Sequence, residues 1–160
     1  MARFEFAYFL AITLALLFRA YNTDAGTGVQ SSQSSNATCN IDRLETVVGL
    51  QKSADLIQKA INATNSNDTA VISQLQTAAS GIQSADAGVA TILQALVSGQ
   101  APPADARQQV GDGLNSAAAA LVVAFGNATS NAEAAAIASA ESAVIGALAA
   151  GIRVVEDSLL

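Results

Sequence analysis

Apolar side chains recur at alternating steps of three and four along most of this chain. The longest such run covers 71–97, where Val71, Leu75, Ala78, Ile82, Ala85, Val89, Ile92 and Leu96 share one face of an α-helix. This pattern predicts a helix over 69–98. Three further stripes keep the same period. Leu44, Val47, Leu50, Ala54, Ile57 and Ile61 predict a helix over 41–61. Ala106, Val110, Leu114, Ala117, Leu121 and Phe125 predict one over 103–125. Ile137, Ala140, Val144, Leu148, Ile152, Val155 and Leu159 predict one over 131–158.

The ends of these segments carry the expected punctuation. Asn40 is a suitable N-cap for the first helix, with Asp42 and Glu45 placing negative charge in its opening turns. The run Asn62-Ala-Thr-Asn-Ser-Asn-Asp68 is turn chemistry, and Gly99-Gln100-Ala101-Pro102-Pro103 stops the second helix. Pro103 suits the first helical position of the third. Gly111-Asp112-Gly113 marks a weak point in that helix, where a kink or a frayed first half is expected. Ser130-Asn-Ala-Glu133 has the spacing of a capping box for the fourth. Gly81 and Gly88 each cost about 1 kcal/mol in an exposed helix interior relative to Ala, unless they let a neighbouring backbone come close.

Short loops favour antiparallel neighbours, so the four helices predict an all-α, up-down antiparallel four-helix bundle over 40–160, rich in alanine. In that topology the loops after the first and third helices lie at the same pole. The opposite pole then gathers the double-proline turn, the start of the first helix and the C-terminal Leu159 and Leu160.

The first 39 residues break the helical pattern. Arg3 precedes an apolar run of 13 residues, 6–18, interrupted only by Thr13, and Thr23-Asp24-Ala25 supplies small residues at −3 and −1 of a cleavage site. Residues 1–25 therefore read as a signal peptide, and the localisation expected is secreted and extracellular. The alternative, an uncleaved anchor, falls short of the roughly 20 residues needed to span hydrocarbon. Residues 26–39 are Ser/Gln-rich and read as a flexible leader. In the fourth helix Glu141 and Arg153 bracket a span too short for a transmembrane anchor, and the polar Glu156-Asp-Ser ending is not a GPI tail.

A secreted chain gives its Asn-x-Thr patterns meaning. Asn36, Asn62, Asn67 and Asn127 are glycosylation acceptors by pattern, all at predicted helix ends or loops. The bundle topology clusters Asn62, Asn67 and Asn127 at one pole and leaves Asn36 and Cys39 at the other. Cys39 is the only cysteine, so in an oxidising compartment it is either an intermolecular disulfide joining a homodimer or an incidental free or capped thiol.

Charge narrows the function classes. The chain is acidic, with a net charge of −6, and cleavage after Ala25 leaves that value unchanged. Phe125 is the only aromatic residue beyond residue 25. An acidic chain without a basic cluster or stacking aromatics is a poor partner for nucleic acid. It has no histidine, so a Ser-His triad and Glu-x-x-His metal sites are absent by composition. Asp42, Glu45, Asp55, Asp86, Asp112, Glu133, Glu141, Glu156 and Asp157 read as solvated faces and caps. No catalytic, cofactor-binding or metal residue is assigned, and a non-enzyme is expected.

Only 12% of residues are charged, and the outward helix positions are mostly Ala, Ser, Thr and Gln. In its Ala/Ser-rich, cysteine-poor, secreted four-helix pattern the chain is similar to fungal hydrophobic-surface-binding proteins, a likeness of composition without a shared motif. The expectation is a secreted binding module for an apolar surface or a lipid-like ligand. The alternative is a glycosylated structural or interaction protein of an extracellular matrix or fluid.

Overall fold

A computed structural model describes the backbone of residues 30–157 and the side chains of 41–154; the signal-peptide reading of 1–25 lies outside the described residues. Those residues form four α-helices and no strands: α1, Gln30–Ala63; α2, Thr69–Val97; α3, Ala104–Gly126; and α4, Asn131–Asp157. The helix pattern holds, with one displaced boundary. α1 starts at Gln30 rather than Ile41, so the stretch expected as a flexible leader is helical from Gln30 onward and Asn40 is an interior residue, not an N-cap.

Helix ends follow local chemistry. Gly99 adopts φ 69°, and the N–H groups of Gly99 and Gln100 donate to Leu96 and Ala95 carbonyls at 3.0 and 2.9 Å. This closes α2 with a Schellman motif, which needs a left-handed residue where glycine costs least. Pro103 sits one position before α3 instead of inside it. α3 runs unbroken through Gly111, Asp112 and Gly113, where a kink was expected.

The four helices are not equally spaced. α2 lies close along α3, and α1 close along α4, while the α1/α2 and α3/α4 edges touch more sparsely. Small residues set the close edges. A Cβ added to Gly81 would sit 2.6 Å from the Gly113 carbonyl oxygen, and one added to Gly88 would sit 2.8 Å from that of Ala106. A Cβ on Gly49 would sit 2.8 Å from the Ala147 Cβ. Gly81 and Gly88 are therefore packing glycines, and so is Gly113. As residue numbers rise along one helix of each pair they fall along the other, so both close pairs are antiparallel.

Large aliphatic residues fill the space between the pairs. Each helix supplies two fully buried side chains seven residues apart: Leu50 and Ile57, Leu75 and Ile82, Leu114 and Leu121, Ile137 and Val144. The antiparallel register stacks them as two layers, Ile57-Leu75-Leu121-Ile137 and Leu50-Ile82-Leu114-Val144. Burial of each such side chain contributes about 1.5–3 kcal/mol.

Each helix thus carries two adjacent stripes, a small one toward its close partner and a large one toward the centre. On α1 the small stripe is Asp42, Thr46, Gly49 and Ser53. The buried hydroxyls of Thr46 and Ser53 donate to Asp42 and Gly49 carbonyls at 2.9 and 2.7 Å, so they pack without an unmet donor. Ala54, expected in the core, is exposed, because Ser53 takes the inward position one residue earlier. Leu96, Phe125 and Ile152, also expected on core stripes, are exposed at 36, 47 and 52%. They lie beyond the two packed layers, where the facing helices no longer supply large side chains. Val155 has no described side chain, and Leu159 lies outside the described residues.

Candidate functional site

The connections between the two close pairs are the loops 64–68 and 127–130, and one hydrogen bond brings them together. The Thr129 hydroxyl donates to Asp68 Oδ2 at 2.8 Å. The expected polar clustering follows: Asn62, Asn67 and Asn127 are all exposed at this pole. The Asn127 amide folds back to donate to the Val123 carbonyl at 2.8 Å, and Gln58 donates to Asn62 Oδ1 at 3.3 Å. Asn36 and Cys39 lie within α1, which starts at Gln30, and not at a helix end or before the helix as expected; their side chains are outside the described set.

Beneath this pole Glu133 is 1% exposed, which corrects its reading as a solvated cap. It lies on the inward stripe of α4 that continues through Ile137, Ala140 and Val144. Half of the capping box forms as its spacing implies: the Glu133 N–H donates to Ser130 Oγ at 3.2 Å. The carboxylate reaches one residue further than in the standard box, accepting the Thr129 N–H at 2.7 Å on Oε2. The Thr64 hydroxyl gives its proton to the Ala60 carbonyl at 2.9 Å, and Glu133 Oε1 has no hydrogen-bond donor of its own. Burial raises the carboxyl pKa, but the hydrogen bonds it accepts, chiefly from the Thr129 N–H, outweigh it and hold Glu133 below its ordinary value.

At the other end of the α1/α4 pair, Asp42 is also buried, at 5% exposure, and is likewise not a solvated carboxylate. Arg153 Nε donates to it at 2.8 Å, and Arg153 Nη2 donates to Glu45 Oε2. The hydrogen bond to Asp42 is the main reason the guanidinium holds its proton more firmly than usual. This fork ties α1 to α4, within one pair. On α2, burial pushes the carboxyl of half-buried Asp86 up.

The helical phase assigns the remaining flanks. On α4, Ala143, Ala147 and Ala150 face α1, Ile137 and Val144 face the centre, and the next rows around, Glu141, Ile145, Leu148 and Ile152, turn toward α3. On α3, Ala106, Gly113 and Ala117 face α2, Leu114 and Leu121 face the centre, and Arg107, Gly111, Ala118 and Phe125 turn toward α4. Along this sparser edge Ile145 and Ile152 are each 52% exposed. A Cβ added to Gly111 would meet nothing within 4 Å.

The outward faces are less polar than their composition suggests. The exposed hydroxyls of Thr77, Ser80, Thr91, Ser98 and Ser139 each donate to the carbonyl four residues earlier, at 2.8–3.1 Å. By length and composition Asn131–Val154 of α4 is apolar enough to cross a membrane, with mean hydropathy 1.7, a test that bundle core helices also pass. Among the described residues no group of three or more His, Cys, Asp and Glu side chains is arranged to hold a metal ion. No known family model, curated protein or solved structure matches the chain.

Proposed function

We propose that this protein is a secreted, non-enzymatic helical module that binds an apolar surface or a lipid-like ligand by parting its two helix pairs. The observation that carries the reading is the spacing of the bundle. Two close pairs, each locked by small residues, meet along a seam of large aliphatics, and both chain connections between the pairs lie at one pole. A seam of aliphatic contacts has no directional bonds to break, and an apolar surface repays its exposure. The hydroxyls already committed to backbone carbonyls make the outer faces cheap to dehydrate on adsorption. Apolar beads or liposomes are expected to deplete the protein from solution. A protein that stays in solution with both, and that takes up no fatty-acid probe, would contradict this reading.

The exposure of Asn62, Asn67 and Asn127 around one pole supports a second reading, a glycosylated structural or interaction protein whose bundle stays closed. Peptide mapping of secreted protein tests it, and unmodified asparagines would remove it. In either case Cys39 links a homodimer only if a Cys39→Ser variant loses the dimer on non-reducing gels.

A further inference from the structure

The last two turns of α3 expose apolar side chains next to a sequon. Ala119 and Val123 lie one turn apart on its outward face, Val123 at 47% exposure, and neighbouring Val122 is 57% exposed. α2 and α4 pack on the other sides of this helix. Lone apolar residues on a surface are ordinary; what singles out Val123 is Asn127, four residues further on. Asn127 is the C-cap of α3, with a near-helical backbone at φ −103° and ψ 0°. Its side chain turns back along the helix, and Nδ2 donates to the Val123 carbonyl at 2.8 Å. A helical side chain covers the turn before its own Cα, so Asn127 reaches toward Val123. Nδ2 carries a second hydrogen, which a sugar can replace while the bond to Val123 stays.

The other two exposed sequon asparagines at this pole lack such a neighbour. Four residues before Asn62 stands Gln58, exposed, polar and hydrogen-bonded to it at 3.3 Å, and Asn67 lies in the loop after α1. We propose that Asn127 carries an N-linked N-acetylglucosamine whose apolar ring face packs on Val123, so that carbohydrate completes the outer surface of α3. The donor is an oligosaccharide held on a polyprenyl pyrophosphate. The bond from the sugar C1 to the pyrophosphate oxygen breaks, that oxygen keeping the electron pair, and C1 bonds to Nδ2, which gives up one proton. In the folded chain the hydroxyl of the sequon's Thr129 is held between Asp68 and Glu133, so the transfer precedes closure of this pole. This deepens the second reading above, the glycosylated protein, and rests on it.

The test uses the full chain secreted from eukaryotic cells with Asn127 as its only sequon, through Asn36→Gln, Asn62→Gln and Asn67→Gln. Peptide mapping is expected to find Asn127 modified. After trimming to a single N-acetylglucosamine, the melting midpoint is expected to lie about 2–4 °C above that of the same chain made without glycosylation. Val123→Ser removes the contact and is expected to cancel that gain, a coupling that a general effect of the sugar on the unfolded chain does not produce. A chain that keeps Asn62 as its only sequon, trimmed in the same way, is expected to show no gain. An unmodified Asn127, no gain, or a gain that survives Val123→Ser would overturn the proposal. Mapping the parent chain separates the two failures: Asn62 or Asn67 modified with Asn127 bare sinks the proposal alone, whereas no modified asparagine at all removes the glycosylated reading with it.

Discussion

At the scale of single residues, two glycines of the same type have opposite meanings. Gly81 has the Gly113 carbonyl oxygen where its Cβ would go, whereas Gly146 faces open space. Gly81→Ala must push α2 from α3 and is expected to cost about 1–3 kcal/mol, as overpacking does. Gly146→Ala is expected to add about 0.5–1 kcal/mol through lost chain entropy; chemical denaturation of both variants decides. Two carboxylates make opposite contributions with pH. Glu133 titrates below its ordinary 4.5 in the folded chain, so its stabilisation is present above that value and is lost as pH falls through the folded pKa. Glu133→Gln is expected to cost about 1–3 kcal/mol at neutral pH and to flatten the acid limb of the stability curve. Asp86 titrates above its ordinary 3.8, so its charge weakens the fold at neutral pH and the penalty fades as pH falls through the raised pKa. Asp86→Asn is expected to raise the melting midpoint at pH 7, with the gain vanishing toward acid pH. A midpoint that does not respond to pH would refute this assignment.

At the scale of elements, the four helices were legible because a period of 3.6 survives in both large and small residues. The stop at Gly99 and the cap at Ser130 were legible because their chemistry is local. What the pattern hid was that each helix has two stripes. Following the large residues alone puts Ala54 inward and overlooks Ser53, since a buried serine gives no hydrophobic signal and is satisfied by its own helix. Glu133 was hidden for the opposite reason: a capping-box glutamate normally sits at the surface, although its spacing of four from Ile137 places it on the core stripe. The exposure of Phe125 and Ile152 depends on where the facing helices run out of large side chains, which no single helix records. The small stripes make a testable claim about pairing. Ala147→Leu, set against Gly49, is expected to loosen α1 from α4 and cost more than the same change at exposed Ala149; thermal melts of the two variants give the comparison.

At the scale of the whole molecule, the chain path decides where the two pairs are joined. α2 and α3 form one hairpin, while α1 and α4, distant in sequence, form the other pair. Both crossings between the pairs, 64–68 and 127–130, lie at the pole held by Asp68, Thr129 and Glu133, so the parting proposed above would hinge there and open at the double-proline end. Nothing in the composition revealed this, since it follows from which edges are close and which are wide. Spin labels test it directly, placed in a Cys39→Ser background at exposed Lys52 and Ala149 for the α1/α4 pair, Ser84 and Ser116 for the α2/α3 pair, and Lys52 and Ser84 across the seam. On adding apolar beads or vesicles, the distance across the seam is expected to lengthen while both distances within the pairs hold. Adsorption with the seam distance unchanged, or with either pair separating first, would contradict the opening of this bundle along its aliphatic seam.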